Sequence, residues 1–214
     1  MAKSARAQLL EVNPQHPEPY RIKQAVERLE EGGIVVYPTD TIYGLAADVA
    51  QRSAIDTLYE LRQLESKKPL SLVCSSLSQV SHYATIPNDC HRFMKRVLPG
   101  PYTFILRATR EAPRMGDAKR RTVGVRIPAH PVSLALVQAL GRPLLTTSAI
   151  VEGLPDDELP VVSDPVFLAE HYAHTAVALV LDAGLLEGTP STVIDWSDDD
   201  PVVVRQGAGV VEGL

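Results

Sequence analysis

The sequence predicts one α/β domain in which helices flank a twisted, mixed β-sheet. Three observations support this fold class. The length of 214 residues is that of one ordinary domain. Hydrophobic residues make up 45% of the chain, which is typical of a globular protein with a packed core. Strand-like and helix-like segments also alternate irregularly, without the strict strand–helix order of a purely parallel sheet, and no internal repeat or long linker divides them.

The first half of the chain alternates helices with short strands. Apolar residues recur at helical spacing over 20–31, and Gly32 ends this helix. The apolar run at 34–37 predicts a buried strand that stops at Pro38. Ser53 is a suitable N-cap for a helix over 54–64. The remaining predictions here are a strand over 70–74 and helices over 76–83 and 88–97.

The second half predicts more strand than helix. A helix over 131–140 ends at Gly141, and a polar, proline-rich loop covers 152–160. We interpret residues 1–19 as an N-terminal extension and residues 20–214 as the domain. The strands predicted here lie at 102–107, 122–127, 144–148, 177–182, 191–195 and 202–205, with a further helix near 164–172.

Several protein classes are excluded by composition. Cys74 and Cys90 are too few for a disulfide framework and belong to no CxxC pattern. The N-terminus lacks the apolar core of a signal peptide. The most apolar later run, 176–181, is far shorter than the roughly 20 residues of a membrane helix. We therefore expect a cytoplasmic protein with no membrane partner.

The common catalytic and metal signatures are missing. No GxxxxGK[ST] loop is present, and the glycines at 207–209 lack the third glycine and the helix of a dinucleotide loop. His171 and His174 lie one helical turn apart without an HExxH motif, which favours an exposed helix face over a metal site. Ser148 and His130 lack the GxSxG context of a hydrolase. We therefore predict no metal site and no covalent or acid/base catalytic residue.

Charge is distributed unevenly along the chain, whose formal net charge is −5. Residues 92–126 hold ten Lys or Arg, whereas residues 151–214 hold thirteen Asp or Glu and one basic residue, Arg205. Such an asymmetry indicates a surface or cleft that meets an anion. Two solvated faces of opposite sign would produce the same composition, so charge alone leaves both interpretations open.

Polar residues gather where predicted strands end. The segment 38–45 follows a buried strand and carries three hydroxyl side chains and Asp40. Arg126 lies among apolar neighbours, so its guanidinium needs either an internal carboxylate or a bound anion. Hydroxyls at 146–148 and 191–192, together with Arg205, repeat the pattern at three further strand ends. The sequence therefore predicts a polar crevice for a small anionic ligand, although 38–45 taken alone would fit an ordinary turn.

These segments resemble the YrdC/YciO family of the threonylcarbamoyl-AMP synthase superfamily, in order from Gly32 to Gly207. The resemblance implies one twisted, mixed α/β domain with a large, concave, basic face. It is carried by YPTDTIYGL at 37–45, KPL at 68–70, LPGPYTFIL at 98–106, TVGVRIPAHP at 122–131, TSA at 147–149, STVID at 191–195 and VRQG at 204–207.

The resemblance also implies a reaction, in which L-threonine, bicarbonate and ATP give threonylcarbamoyl-AMP and pyrophosphate for tRNA threonylcarbamoyladenosine modification. Mg²⁺ would accompany ATP. By motif position, the threonine-binding residues would be Thr39, Thr41, Tyr43, Arg126 and Ser191, with Arg126 on the carboxylate. The nucleotide-binding residues would be Arg62, Lys68, Thr122, Ser148 and Arg205.

The resemblance is closest to the YciO branch. Leu64, Val73 and Ile150 stand where the synthases typically carry an arginine, a histidine and an asparagine, which predicts a weak or altered synthase activity. The alternative is a double-stranded RNA- or tRNA-binding protein without efficient synthase activity, and a metabolite-dependent regulator is a third hypothesis. The RNA-binding candidates, which would otherwise form a solvated rim that attracts ATP, are Lys95, Arg96, Arg107, Arg110, Lys119, Arg120 and Arg121.

Overall fold

The structure is a computed structural model that describes residues 7–62, 70–113, 121–149, 163–186, 188–212 and 214. Within these ranges, eleven strands form one mixed sheet and six helices flank it, which confirms the predicted fold class. None of the described helices has the length and apolarity that a membrane span requires.

The helices and strands follow one another irregularly along the chain. The helices are α1 (Pro19–Glu30), α2 (Arg52–Leu61), α3 (Leu77–Tyr83), α4 (Asn88–Val97), α5 (Pro131–Leu140) and α6 (Pro165–His171). The strands are β1 (Gln8–Glu11), β2 (Ile34–Tyr37), β3 (Gly44–Asp48), β4 (Ser71–Val73), β5 (Ala84–Thr85), β6 (Tyr102–Ala108), β7 (Thr122–Arg126), β8 (Leu144–Ser148), β9 (Val177–Asp182), β10 (Thr192–Asp195) and β11 (Val202–Arg205).

The strand order in the sheet is β1-β9-β2-β3-β8-β4-β7-β6-β10-β11, and β5 pairs with β6 beside this path. The pairs β2–β3, β3–β8 and β8–β4 are antiparallel. The flanking pairs β9–β2 and β4–β7 are parallel. Antiparallel neighbours at the centre and parallel ones beside them make the sheet mixed.

Most predicted elements lie where the sequence places them, with three additions. β1 lies within residues 1–19 and pairs with β9, β3 follows the polar segment 38–43, and β5 has two residues. The predicted N-cap Ser53 is wrong. Helix α2 begins at Arg52 after an extended Gln51, whose side chain donates a hydrogen bond to the Glu30 carbonyl at the end of α1.

The sheet separates two apolar clusters. Helices α2, α3, α4 and α6 cover one side, where Phe93 of α4 packs among Phe104, Tyr102 and Trp196. Helices α1 and α5 cover the other side, where they pack over β9, β2 and β3. They also cover Leu144 of β8 and Val73 of β4. β7, β6 and β10 contribute no residue to this second cluster, which leaves their half of that side without a helical cover in the part of the chain that is described.

We call this uncovered half the open face; it comprises Ser71, Thr103, Ile105, Thr122, Gly124, Arg126, Thr146, Ser148 and Val193. Strand β7 shows why the sequence produces it. Val123 and Val125 point into the first cluster, whereas Thr122, Gly124 and Arg126 alternate with them and point the other way. The polar–apolar alternation of β7 therefore builds a core on one side and an open surface on the other.

Candidate functional site

A cavity of about 340 Å³ lies on the open face. Its wall is rich in hydroxyl groups and holds two guanidinium groups, those of Arg126 and Arg205. The polar lining consists of Thr39, Ser71, Thr103, Thr122, Thr146, Thr147, Ser148, Ser191, Arg126 and Arg205, with Tyr37 and Tyr43 beside them.

The structure brings most of the predicted ligand-binding residues together in this cavity. Of the ten residues predicted to bind threonine or nucleotide, seven line it: Thr39, Tyr43, Thr122, Arg126, Ser148, Ser191 and Arg205. Thr41 does not line the cavity, but its hydroxyl accepts a hydrogen bond from Arg126. Arg62 is 8% exposed at the end of α2 and does not line the cavity, and Lys68 lies outside the described residues. Their ligand contacts stay predictions.

Arg126 is held by one nitrogen of its guanidinium. Its Nη2 donates hydrogen bonds to the Thr41 hydroxyl at 2.8 Å and the Thr39 hydroxyl at 3.4 Å, and it forms an ion pair with Asp40. Its Nε is buried and has no hydrogen-bond partner among the described residues. The internal carboxylate that sequence reasoning left open as one partner for Arg126 is therefore Asp40.

Asp40 joins two loops behind the cavity. One carboxylate oxygen accepts from Arg126, and the other accepts from the backbone N–H of Ala129 at 3.0 Å. The Thr39 hydroxyl donates to the Ile42 carbonyl at 2.7 Å, and the Ser133 hydroxyl donates to the carbonyl of Pro38. The segment 38–43 is thus bonded both to itself and to the first turn of α5.

Arg205 approaches the cavity from the last residue of β11. Its Nε and Nη2 donate to the Ser191 carbonyl at 3.1 and 2.9 Å. The Ser191 side chain is buried, and its hydroxyl lies 2.9 Å from the hydroxyl of Thr103. A guanidinium tied to a neutral carbonyl keeps its positive charge uncompensated, so this charge is available to an anion.

The two guanidinium groups act on each other through the cavity. Burial, and secondarily the positive charge of Arg126, lowers the pKa of Arg205. Both guanidinium groups line the same cavity and stay protonated, so the cavity is suited to a phosphate or carboxylate group.

Two tyrosines define the remaining wall. The Tyr43 hydroxyl donates to the Gly184 carbonyl at 2.8 Å and accepts from the Ala183 N–H at 3.0 Å, so Tyr43 offers its ring to the cavity. The Tyr37 hydroxyl lies 2.9 Å from the hydroxyl of Thr146. Burial raises the pKa of both tyrosines, which keeps them neutral hydrogen-bonding groups.

Sequence reasoning missed two residues that line the cavity, Ser71 and Gly124. Ser71 and Gly124 pair across β4 and β7, and a Cβ atom at Gly124 would lie 2.6 Å from the Ser71 hydroxyl oxygen. Glycine at this position therefore leaves room for the Ser71 hydroxyl on the cavity side of the sheet. The alternating pattern of β7 was the signal that could have identified Gly124 as a residue of the polar side.

The branch-specific substitutions lie apart from the cavity where they are described. Val73 is fully buried in the cluster under α1 and α5 and does not line the cavity, so it is not a wall residue beside the ligand. Ser71 lies on the same side of β4 as Val73, because residues two apart in a strand share a face, but Ser71 lines the cavity whereas Val73 packs in the cluster under α1 and α5. Leu64 and Ile150 lie outside the described residues.

The described residues offer no resident metal centre. No group of three or more His, Cys, Asp or Glu among them could hold a metal ion, and the cavity lining contains no carboxylate. Mg²⁺ is commonly held by substrate phosphates, one or two carboxylates and water. The Mg²⁺ expected with ATP stays a prediction.

The predicted RNA-binding residues differ in the contacts that their side chains make with the rest of the protein. Arg96 stacks over Phe93 at 4.9 Å and donates to the Glu212 carbonyl at 2.8 Å, and Arg107 forms an ion pair with Asp198 at 3.5 Å. Others of the set are exposed, namely Lys95, Arg110 and Arg121, whereas Lys119 and Arg120 lie outside the described residues.

Comparison with known proteins identifies relatives over almost the whole chain. A family model for Sua5, YciO and YrdC proteins, described as telomere recombination, matches residues 27–207. The uncharacterized protein YciO of Escherichia coli K12 is 40% identical over 207 residues, 96% of this chain and 98% of that protein. The crystal structure of E. coli YciO superposes with a TM-score of 0.88 at 39% identity, covering 96% of this chain and 98% of that one.

A solved structure of an archaeal relative with the same fold contains a bound amino acid. The threonylcarbamoyl-AMP synthase of Pyrococcus abyssi is 32% identical over 199 residues, 92% of this chain and 57% of that protein. A crystal structure of P. abyssi Sua5 complexed with L-threonine superposes with a TM-score of 0.82 at 30% identity, covering 93% of this chain and 57% of that one. The family resemblance read from the motifs is thus confirmed.

Proposed function

The chain belongs to the Sua5/YciO/YrdC family, and we propose that it is an ATP-dependent nucleotidyltransferase of the threonylcarbamoyl-AMP synthase type. The proposed reaction converts L-threonine, bicarbonate and ATP into threonylcarbamoyl-AMP and pyrophosphate. One observation carries the proposal: two guanidinium groups, those of Arg126 and Arg205, line one cavity whose other polar side chains all carry hydroxyls.

The reaction balances without a covalent enzyme intermediate. The threonine amine and bicarbonate form a carbamate with loss of water. A carbamate oxygen then attacks the α-phosphorus of ATP, the bond from that phosphorus to the bridging oxygen breaks, and pyrophosphate leaves. Both partners are anions, so the site must hold them together and offset their repulsion. This chemistry requires no protein nucleophile, because the carbamate itself attacks the phosphorus.

The proposal divides the cavity between its two arginines. Arg126 binds the threonine carboxylate, and Thr39, which accepts from the Nη2 of Arg126, supports it; the crystal structure of P. abyssi Sua5 complexed with L-threonine supports an amino acid as the ligand. Arg205, with Thr122 and Ser148, binds the nucleotide. By the family resemblance Ser191 would lie at the junction of the two substrates; its carbonyl holds Arg205 and its hydroxyl contacts Thr103. Mg²⁺ enters with ATP and neutralises phosphate charge.

A product of this type would supply tRNA threonylcarbamoyladenosine modification, and we propose that role by similarity to the synthases. This chain carries Val73, Leu64 and Ile150 where the synthases typically carry a histidine, an arginine and an asparagine. We therefore expect a lower rate with L-threonine than a dedicated synthase reaches.

The proposal is tested by incubating purified protein with ATP, Mg²⁺, bicarbonate and L-threonine. Pyrophosphate release is measured, and the adenylate is identified by mass spectrometry. Matched reactions omit threonine or replace it with L-serine or L-valine. Threonine-dependent formation of the adenylate would support the proposal. ATP binding without any adenylate from these amino acids would contradict it.

Binding of double-stranded RNA or tRNA is the second candidate function. The favouring observation is that Lys95, Arg110 and Arg121 are exposed and come from the most basic stretch of the chain. Double-stranded RNA is recognised mostly through phosphates and 2′-hydroxyls by such side chains. Affinity that falls steeply with salt and is lost in Lys95→Ala/Arg121→Ala, but not in Arg126→Ala, would support this candidate.

A further inference from the structure

Asp40 is charged and close to the cavity, yet it does not line it. Its side chain is 13% exposed, and both of its carboxylate oxygens are engaged, one by Arg126 and the other by the N–H of Ala129. A ligand in the cavity would therefore meet Arg126 and not Asp40. Any influence of Asp40 on the ligand has to act through the guanidinium.

The contacts of Arg126 show what Asp40 contributes. The three acceptors of Nη2 all belong to the segment 39–41, and Asp40 is the charged one. Asp40 also bonds this segment to Ala129, three residues after Arg126. The carboxylate thus fixes the guanidinium to one loop and that loop to the chain that carries the arginine.

We propose that Asp40 is a positioning residue that holds the Arg126 guanidinium in its anion-binding orientation. The inference rests on the proposed function, in which Arg126 binds the threonine carboxylate, and it adds a residue that no motif position singled out. A charge-assisted hydrogen bond of this kind is short and directional, so it fixes the orientation of the planar guanidinium.

The proposal makes a prediction opposite in sign to simple electrostatics. Asp40 places a negative charge beside Arg126, so its removal makes the cavity more positive and, by Coulomb's law alone, tightens anion binding. If Asp40 positions Arg126, its removal weakens anion binding, because the guanidinium then loses its fixed orientation. The direction of the change separates the two accounts.

The experiment compares Asp40→Asn with the wild type by calorimetric titration with L-threonine and with ATP and Mg²⁺. We expect L-threonine affinity to fall by about 10- to 100-fold and ATP affinity to change less. The matched control is Asp48→Asn, which removes the charge of another aspartate paired with an arginine, Arg142, outside the cavity. Unchanged or tighter L-threonine binding in Asp40→Asn would overturn the proposal.

Two further variants separate positioning from general damage to the fold. In Arg126→Ala, the additional change Asp40→Asn is expected to have no further effect on L-threonine affinity, because Asp40 acts only through Arg126. Additive losses in this cycle would overturn the proposal. Asp40→Glu, which restores the charge, is expected to recover part of the affinity lost in Asp40→Asn.

A readout without ligand keeps the proposal testable if the proposed function fails. The Nε–H of Arg126 is buried, so its ¹H–¹⁵N resonance, assigned with Arg126→Lys, is expected to exchange slowly with water. In Asp40→Asn this resonance is expected to move to the position of exposed arginines. If the wild type binds neither probe, the proposed function is contradicted, whereas an unchanged resonance in Asp40→Asn overturns the positioning role.

Discussion

Two arginine–aspartate pairs flank strand β3 and differ in how completely they are bonded. Asp48, the last residue of β3, accepts from both Nε and Nη2 of Arg142 and from the Ala50 N–H, and its side chain is fully buried. Asp40, in the loop before β3, accepts from a single nitrogen of its arginine, Nη2 of Arg126, and from the Ala129 N–H. The Nε of Arg126 is buried without a partner among the described residues.

The difference shows that an arginine–aspartate pair can stabilise the fold in one place and form part of a binding site in another. A guanidinium that places two donors on one carboxylate is a closed, bidentate unit and stabilises the fold. A guanidinium that leaves a buried donor unused is rare in a finished structure and calls for an explanation. Arg126 lines a cavity and Arg142 does not, so we interpret the Arg142 pair as structural and the Arg126 pair as part of a binding site.

The largest expected effect comes from breaking the structural pair. Arg142→Ala leaves the Asp48 carboxylate buried without its cation, which is strongly destabilising. One third of the Arg142 side chain is exposed, so we expect the lower end of the usual range, a loss of about 3 kcal/mol in the free energy of unfolding. Urea denaturation measures it. A change below about 1 kcal/mol would contradict the structural interpretation.

Breaking the other pair is expected to show the reverse pattern. Arg126→Ala is expected to weaken L-threonine binding by about 10- to 100-fold, because a charge-assisted contact to the ligand is lost. The free energy of unfolding is expected to fall by about 1 to 2 kcal/mol, less than in Arg142→Ala, because the Asp40 side chain is 13% exposed whereas that of Asp48 is fully buried. Calorimetry and urea denaturation of the same sample test both numbers. Intact binding with a large loss of stability would make the two pairs equivalent.

Arg205 extends the comparison to the part of the cavity that is proposed to bind the nucleotide. Its guanidinium is bonded to a neutral carbonyl, so Arg205→Gln removes an uncompensated charge from the cavity. We expect the affinity for ATP with Mg²⁺ to fall about tenfold at low salt, and this difference to shrink as salt screens the charge. Titrations at two salt concentrations measure it, with Arg52→Gln, an exposed arginine of α2, as the control. Equal losses in the two variants would remove Arg205 from the site.

The smallest expected effect concerns pH and His130, which begins α5 beside the Asp40 loop. Its Nδ1 accepts from the Val132 N–H at 3.2 Å, and burial lowers the pKa of His130 although Asp40 opposes this. Because the native state disfavours the proton, the contribution of His130 to stability is complete above the unfolded pKa of about 6.5 and declines as the pH falls below it.

His130→Asn keeps an acceptor for the helix cap and cannot titrate in this range. We therefore expect the wild type to lose up to about 1 kcal/mol of stability relative to His130→Asn between pH 7.5 and pH 5.5. Urea denaturation at both pH values measures the difference. A larger loss in His130→Asn than in the wild type would contradict the assigned direction.

Much of this fold was readable in the sequence, because the elements carry strong local signals. The run at 34–37 and the helices Asn88–Val97 and Pro131–Leu140 lie where periodicity and end signals place them. Strands β1 and β3 were missed for physical reasons. The sequence GLAAD of β3 has no β-branched residue, and its place at the centre of the sheet is decided by pairing with β2 and β8.

The residues of the candidate site that lie at strand ends could be predicted from the sequence, whereas Ser71 and Gly124 were missed. Polar residues where strands end pointed to Thr39, Arg126, Ser148 and Arg205, which do line one cavity. The partner of Arg126 could not be chosen from the sequence, because an internal aspartate and a bound anion satisfy a guanidinium equally well. The position of Val73 was also beyond sequence reasoning, since Val73 and Ser71 share a face of β4 and only the packing of α1 and α5 decides which of them is covered.

The most direct test of the central claim is a crystal structure of the protein with L-threonine, Mg²⁺ and a non-hydrolysable ATP analogue. The account predicts the threonine carboxylate at Arg126 and the nucleotide phosphates near Arg205, both in the cavity on the open face, with the Arg142–Asp48 pair unchanged. Ligands bound elsewhere on the molecule, with this cavity empty, would contradict the account.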